Sequence, residues 1–79
     1  MNTADILVQI EQAVAAALPG AQVSARGGGG HFSIHVISSA FEGMSRLNRQ
    51  RTVLRAIKHL MAGNGAPVHA VDELVTETP

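Results

Sequence analysis

The sequence predicts an α+β fold in the order helix, strand, strand, helix, strand, with a three-stranded sheet and both helices packed on one face. Three observations predict it. Apolar residues recur at helical spacing in two separate stretches, they alternate with polar residues in a stretch starting at His31, and glycine or proline clusters separate these stretches. With 79 residues, 46% of them hydrophobic, the chain suffices for one core and is too short for two, so one domain is expected over residues 1–79.

The first helix is expected from Thr3 to Leu18. Ile6, Leu7, Ile10, Val14 and Leu18 line one face, Thr3 serves as the cap, and Pro19 and Gly20 end the helix. A weak strand follows around Ala21 to Ala25. Arg26 then leads into Gly27, Gly28, Gly29 and Gly30, and four glycines in succession predict a mobile connection. From His31 to Ser38, Phe32, Ile34 and Val36 alternate with His31, Ser33 and His35, the period of a half-buried strand. The two strands are expected to form a hairpin.

A turn around Gly43 precedes Ser45, which is placed to cap a long helix reaching about Ala62, before Gly63, Asn64 and Gly65. At about 100° per residue, Leu47, Leu54, Ile57, Leu60 and Met61 share the expected core face, flanked by Arg51, Arg55 and Lys58. After Pro67, the β-branched and apolar residues from Val68 to Val75 predict the third strand.

Six basic and six acidic residues cancel, so bulk charge steers the chain toward neither polyanions nor membranes. Without cysteine the chain offers no thiolate to a metal, a disulfide or a nucleophilic reaction. No apolar run approaches the ~18 residues of a membrane span, and Met1 to Asp5 lack the basic start of a secretory leader. A cytoplasmic monomer without membrane attachment is expected.

His31, His35, His59 and His69 are the side chains able to bind a transition metal. Their local spacing is not a metal motif: His31 and His35 share a strand face but stand about 13 Å apart. His31 follows the glycine run and His69 opens the last strand, so the fold can bring these two together. Ser33, Ser38, Ser39 and Ser45 lack a nucleophile context, and Asp72 and Glu73, adjacent on a strand, are expected to point to opposite faces. No acid, base and electrophile assemble, so no enzymatic activity is expected. The glycine run lacks the Lys and Ser/Thr of a phosphate loop. Arg46, Arg49, Arg51, Arg55 and Lys58, five of the six basic residues, fall within thirteen positions of the second helix. They form either a solvated face or a surface for phosphate or an acidic partner.

Gly30-His31-Phe32, Phe41-Glu42-Gly43-Met44-Ser45, Arg49-Gln50-Arg51-Thr52-Val53 and Val68-His69-Ala70, in this order and spacing, resemble the BolA-like family over roughly residues 5 to 71. The resemblance implies a fold similar to class II KH domains. It also implies a small adaptor that pairs with a monothiol glutaredoxin and shares a two-iron, two-sulfur cluster with it in iron homeostasis, the isolated chain holding no cluster of its own. The histidine of the family's V-H-A motif, a cluster ligand, falls on His69. The family's second ligand lies in the loop between the first two strands, where this chain has only glycines and Arg26, so His31 at its end is the substitute. The chain stops at Thr78-Pro79, where relatives commonly continue into a short Trp-containing helix. An extra residue after His69 leaves the register of the last strand open. The resemblance is to a small bacterial member of the family with a truncated C-terminus. The alternative reading is a KH-like transcriptional regulator binding DNA or RNA through Arg46, Arg49, Arg51, Arg55 and Lys58, and a third is a domain acting through protein contacts without metal.

Overall fold

Asn2 opens the first helix, α1 (Thr3–Ala17), from an extended conformation, its side-chain oxygen accepting the Asp5 N–H at 2.9 Å. The cap is thus Asn2, one residue before the expected Thr3. Either side chain can satisfy an orphan donor of the first turn, and the backbone geometry at residue 2 decides between them. The computed structural model describes residues 2–79; Met1, where the expected domain begins, lies outside them.

After α1 the chain forms β1 (Gln22–Gly28) and β2 (His31–Ile37), paired antiparallel from Gln22↔Ile37 to Gly28↔His31. The glycine run is therefore not a mobile connection. Gly27 and Gly28 belong to the strand, and Gly29 and Gly30, at φ 63° and 85°, make a two-residue turn. Positive φ at both turn positions matches the right-handed twist of the strands, which is why glycine suits the turn. A Cβ on Gly27 would stand 2.3 Å from the His31 carbonyl oxygen and 2.9 Å from the Phe32 Cα, so the hairpin closes only over a residue without one.

Ser38 to Met44 turns through a short 3₁₀ segment at Ser39–Phe41. The expected cap at Ser45 is present, its hydroxyl accepting the Asn48 N–H at 3.1 Å. The long helix breaks, however, into α2 (Arg46–Ala56) and α3 (Lys58–Met61). Ile57, with φ −108° and ψ 10°, interrupts it, and the turn tightens through i→i+3 bonds from Ile57 N–H to Leu54 O and from Leu60 N–H to Ile57 O. The last strand, β3 (Ala70–Glu77), runs parallel beside β2, giving the order β1-β2-β3 with β2 central.

One face of the sheet carries the core. Phe32, Ile34 and Val36 of β2 are buried with Ile10 and Val14 of α1, Val53 of α2, Ile57, and Leu60 of α3, so the helices cover a single face as expected. Of the expected core face of the second helix, Ile57 and Leu60 are buried and Met61 packs against the core, but Leu47 and Leu54 are not inward. Val53 is buried, whereas Leu47 is 54% and Leu54 38% exposed. Only three of the eleven α2 residues, Leu47, Val53 and Leu54, are large and apolar, so few positions phase the helix, and the turn at Ile57 resets that phase for Leu60.

The other face is open and polar. Asp72 is the extra residue of β3: Phe32 pairs with Val71 and Ser33 with Glu73, leaving Asp72 as a bulge. Because of the bulge, Asp72 and Glu73 do not diverge to opposite faces as expected. Asp72 reaches His31 at 3.1 Å and Glu73 reaches Arg26 at 3.3 Å, while Glu77 approaches His35 at 3.3 Å. All these groups are more than a third exposed, so each pair adds little stability, and what they contribute is orientation. Among the described residues, no helix is long and apolar enough to cross a membrane.

Candidate metal-ligand site

The turn between β1 and β2 and the start of β3 meet through one carbonyl. Gly30 O accepts the His69 N–H at 2.8 Å and the Ala70 N–H at 3.0 Å. On the inner side Val68 is fully buried and donates its N–H to Leu60 O at 3.0 Å, which anchors the segment entering β3. Backbone bonds on both sides of its Cα thus hold His69 in place without any use of its side chain.

The His69 imidazole is exposed and lies over Gly30. A Cβ on Gly30, itself at φ 85°, would meet the ring Cγ at 2.8 Å and Nδ1 at 3.1 Å. Glycine at position 30 therefore leaves room for the ring as well as adopting the turn. No hydrogen bond or ion pair from either ring nitrogen forms within the described residues, so a lone pair is open to an external metal.

The structure brings His31 to the same end of the sheet. It pairs with Ala70, the neighbour of His69, and is exposed, with Nδ1 held by Asp72 at 3.1 Å. His35 sits further along β2 against Glu77, and His59 lies on α3 in a groove shared with Gln12, Ala13 and Ala17 of α1. Among the described residues no three His, Asp or Glu side chains gather around a common point, and the chain has no cysteine. Two imidazoles fill at most two positions of a four-coordinate metal, so a complete coordination sphere needs donors from another molecule. Asp72 was missed as a candidate from sequence; its one signal was the extra residue after His69.

The five basic residues do not act alike. Arg46, Arg51, Arg55 and Lys58 are exposed and make no ion pair among the described residues. Arg49 is half-buried: its Nε donates to Met44 O at 3.1 Å, and its guanidinium carbon stands 5.8 Å from the Phe41 ring centroid. It ties the turn before α2 to the helix. Arg49→Ala is expected to lower stability by about 1–2 kcal/mol, read from the urea midpoint, and Arg49→Lys to recover only part because a lysine lacks the flat fork.

Fold and site together define a class: a three-stranded α+β domain that presents two imidazoles at one end of its sheet and supplies no thiolate. The model of the family described as BolA-like protein matches residues 7–79, and the chain belongs to that family. A solved BolA homologue from Coxiella burnetii superposes over the whole chain and 92% of its own length, with a TM-score of 0.75 and 35% identity. Yeast Fra2 aligns with 92% of the chain and 76% of its own length, at 26% identity and a TM-score of 0.57. Mouse BolA-like protein 1 is 51% identical over 41 residues, and the match spans 52% of this chain but only 28% of that protein.

Proposed function

We propose that this protein is an adaptor that pairs with a monothiol glutaredoxin and shares the glutaredoxin's two-iron, two-sulfur cluster, with His69 donating to one iron and His31 completing the imidazole pair. The partner, the cluster and the ligand roles follow from the family resemblance. The observation carrying the reading is the His69 ring, exposed, without a partner among the described residues and held against Gly30. Membership of the BolA-like family supports it.

The cluster supplies iron sites that accept nitrogen lone pairs, and imidazole in place of thiolate raises its potential. This chain's part is to present that nitrogen. The Gly30 carbonyl fixes the His69 backbone, the buried Val68 keeps the segment from lifting, and the absence of a Cβ at position 30 leaves the ring its place. Mixing the protein with cluster-loaded monothiol glutaredoxin is expected to change the visible circular dichroism and absorption of the cluster. An unchanged spectrum at saturating protein rules the reading out.

A second reading, nucleic-acid binding through α2, draws on the four exposed cations Arg46, Arg51, Arg55 and Lys58. Against it stand the glycines, which form a strand turn rather than the loop that clamps nucleotides in KH domains, and the internal role of Arg49. On this reading, replacing Arg51 and Arg55 together by Ala reduces the slope of log affinity against log salt by about two. A gel shift that is absent at low salt eliminates it.

A further inference from the structure

We propose that Asp72 is a positioning residue that sets the tautomer and orientation of His31, so that Nε2 is the nitrogen presented to iron. The inference rests on the reading of His31 as a cluster ligand and goes beyond it by assigning a function to the bulge in β3.

The geometry is specific to the register. Between Phe32↔Val71 and Ser33↔Glu73, Asp72 is the residue without a partner on β2. In a regular strand, Asp72 would take the place opposite Ser33 and Glu73 would turn away. The bulge instead frees the Asp72 carboxylate to reach back toward His31, whose Nδ1 it meets at 3.1 Å. Bulges commonly re-aim a side chain beside a functional site.

An ionised carboxylate only accepts hydrogen bonds, so Nδ1 of His31 must carry the proton in this contact. In the neutral ring the lone pair is then on Nε2, which takes no hydrogen bond within the described residues. Metal-binding histidines characteristically donate their other N–H to a carboxylate or carbonyl, which fixes the ring and makes the free nitrogen a better donor. Among the described residues His69 has no such partner, so the two imidazoles are prepared differently: His69 by the space over Gly30, His31 by a carboxylate.

Long-range ¹H–¹⁵N NMR of the protein alone, at a pH above the ordinary imidazole range, reads the tautomer directly. The expected result is Nδ1–H for His31 in the native protein and loss of that preference in Asp72→Ala, with His35 and His59 unchanged. Asp72 is exposed, so the variant is expected to keep the fold, which far-ultraviolet circular dichroism checks. In a parallel titration with cluster-loaded monothiol glutaredoxin, Asp72→Ala is expected to need about ten-fold more protein to reach the native spectral change. A His31 tautomer that is the same in both proteins overturns the inference. If His31→Ala titrates like the native protein, the ligand role of His31 falls instead, whatever the tautomer shows.

Discussion

His69→Ala is expected to remove most of the spectral change that the native protein produces in a glutaredoxin-bound cluster while leaving the fold intact. The two effects separate because the ring and the backbone of residue 69 do different things. The backbone donates to Gly30 O at 2.8 Å and would do so equally from alanine. The exposed ring lies against Gly30 and makes no hydrogen bond or ion pair among the described residues, so its loss costs under about 0.5 kcal/mol, as for an ordinary surface substitution. Far-ultraviolet circular dichroism and the urea midpoint should match the native protein. The cluster spectrum should fall back most of the way to that of glutaredoxin alone, since His31 by itself supplies one imidazole and the chain has no thiolate to take the place of the other. A His69→Ala protein that perturbs the cluster as the native one does excludes the imidazole as ligand.

Gly27→Ala is expected to cost more stability than any other glycine-to-alanine change in this chain. The new carbon would stand 2.3 Å from the His31 carbonyl oxygen and 2.9 Å from the Phe32 Cα, both backbone atoms that cannot swing aside. The residue also lies at φ 129°, where L side chains are strained. Relief requires β1 to separate from β2 beside Phe32, a fully packed core residue. Strain and overlap together cost about 3 kcal/mol or more, on the order of 12–24 °C in Tm for a domain of this size. Gly29→Asn is the control. With φ 63° and nothing within 4 Å of its Cβ, Gly29 occupies a conformation asparagine accepts, and Tm should move by only a few degrees. A Gly27→Ala Tm within that same range would contradict the close hairpin pairing.

These glycines mark where sequence reasoning reached its limit. A run of four predicts a mobile segment because glycine has so much conformational freedom, yet the same freedom lets two of them pair in a strand and the other two turn it. Which outcome holds depends on the register of β1 against β2, a contact between segments that composition does not contain. The same applies to Leu47 and Leu54: helical spacing placed them inward, but burial of Val53 and the turn at Ile57 set a different face.

The sequence by itself determined the element order, the alternation that buries Phe32, Ile34 and Val36, the cap at Ser45 and, through four short motifs in register, the family. Each of these is local: a period of two or about 3.6, a side chain three residues from an N–H, or a spacing along the chain. Only the tertiary structure decided that Gly30 gives His69 its place, that His31 lies beside Ala70, and that Asp72 turns toward His31. Those relations join residues about forty positions apart, and hydrogen-bond register and steric room, which exist only once the strands are paired, settle them.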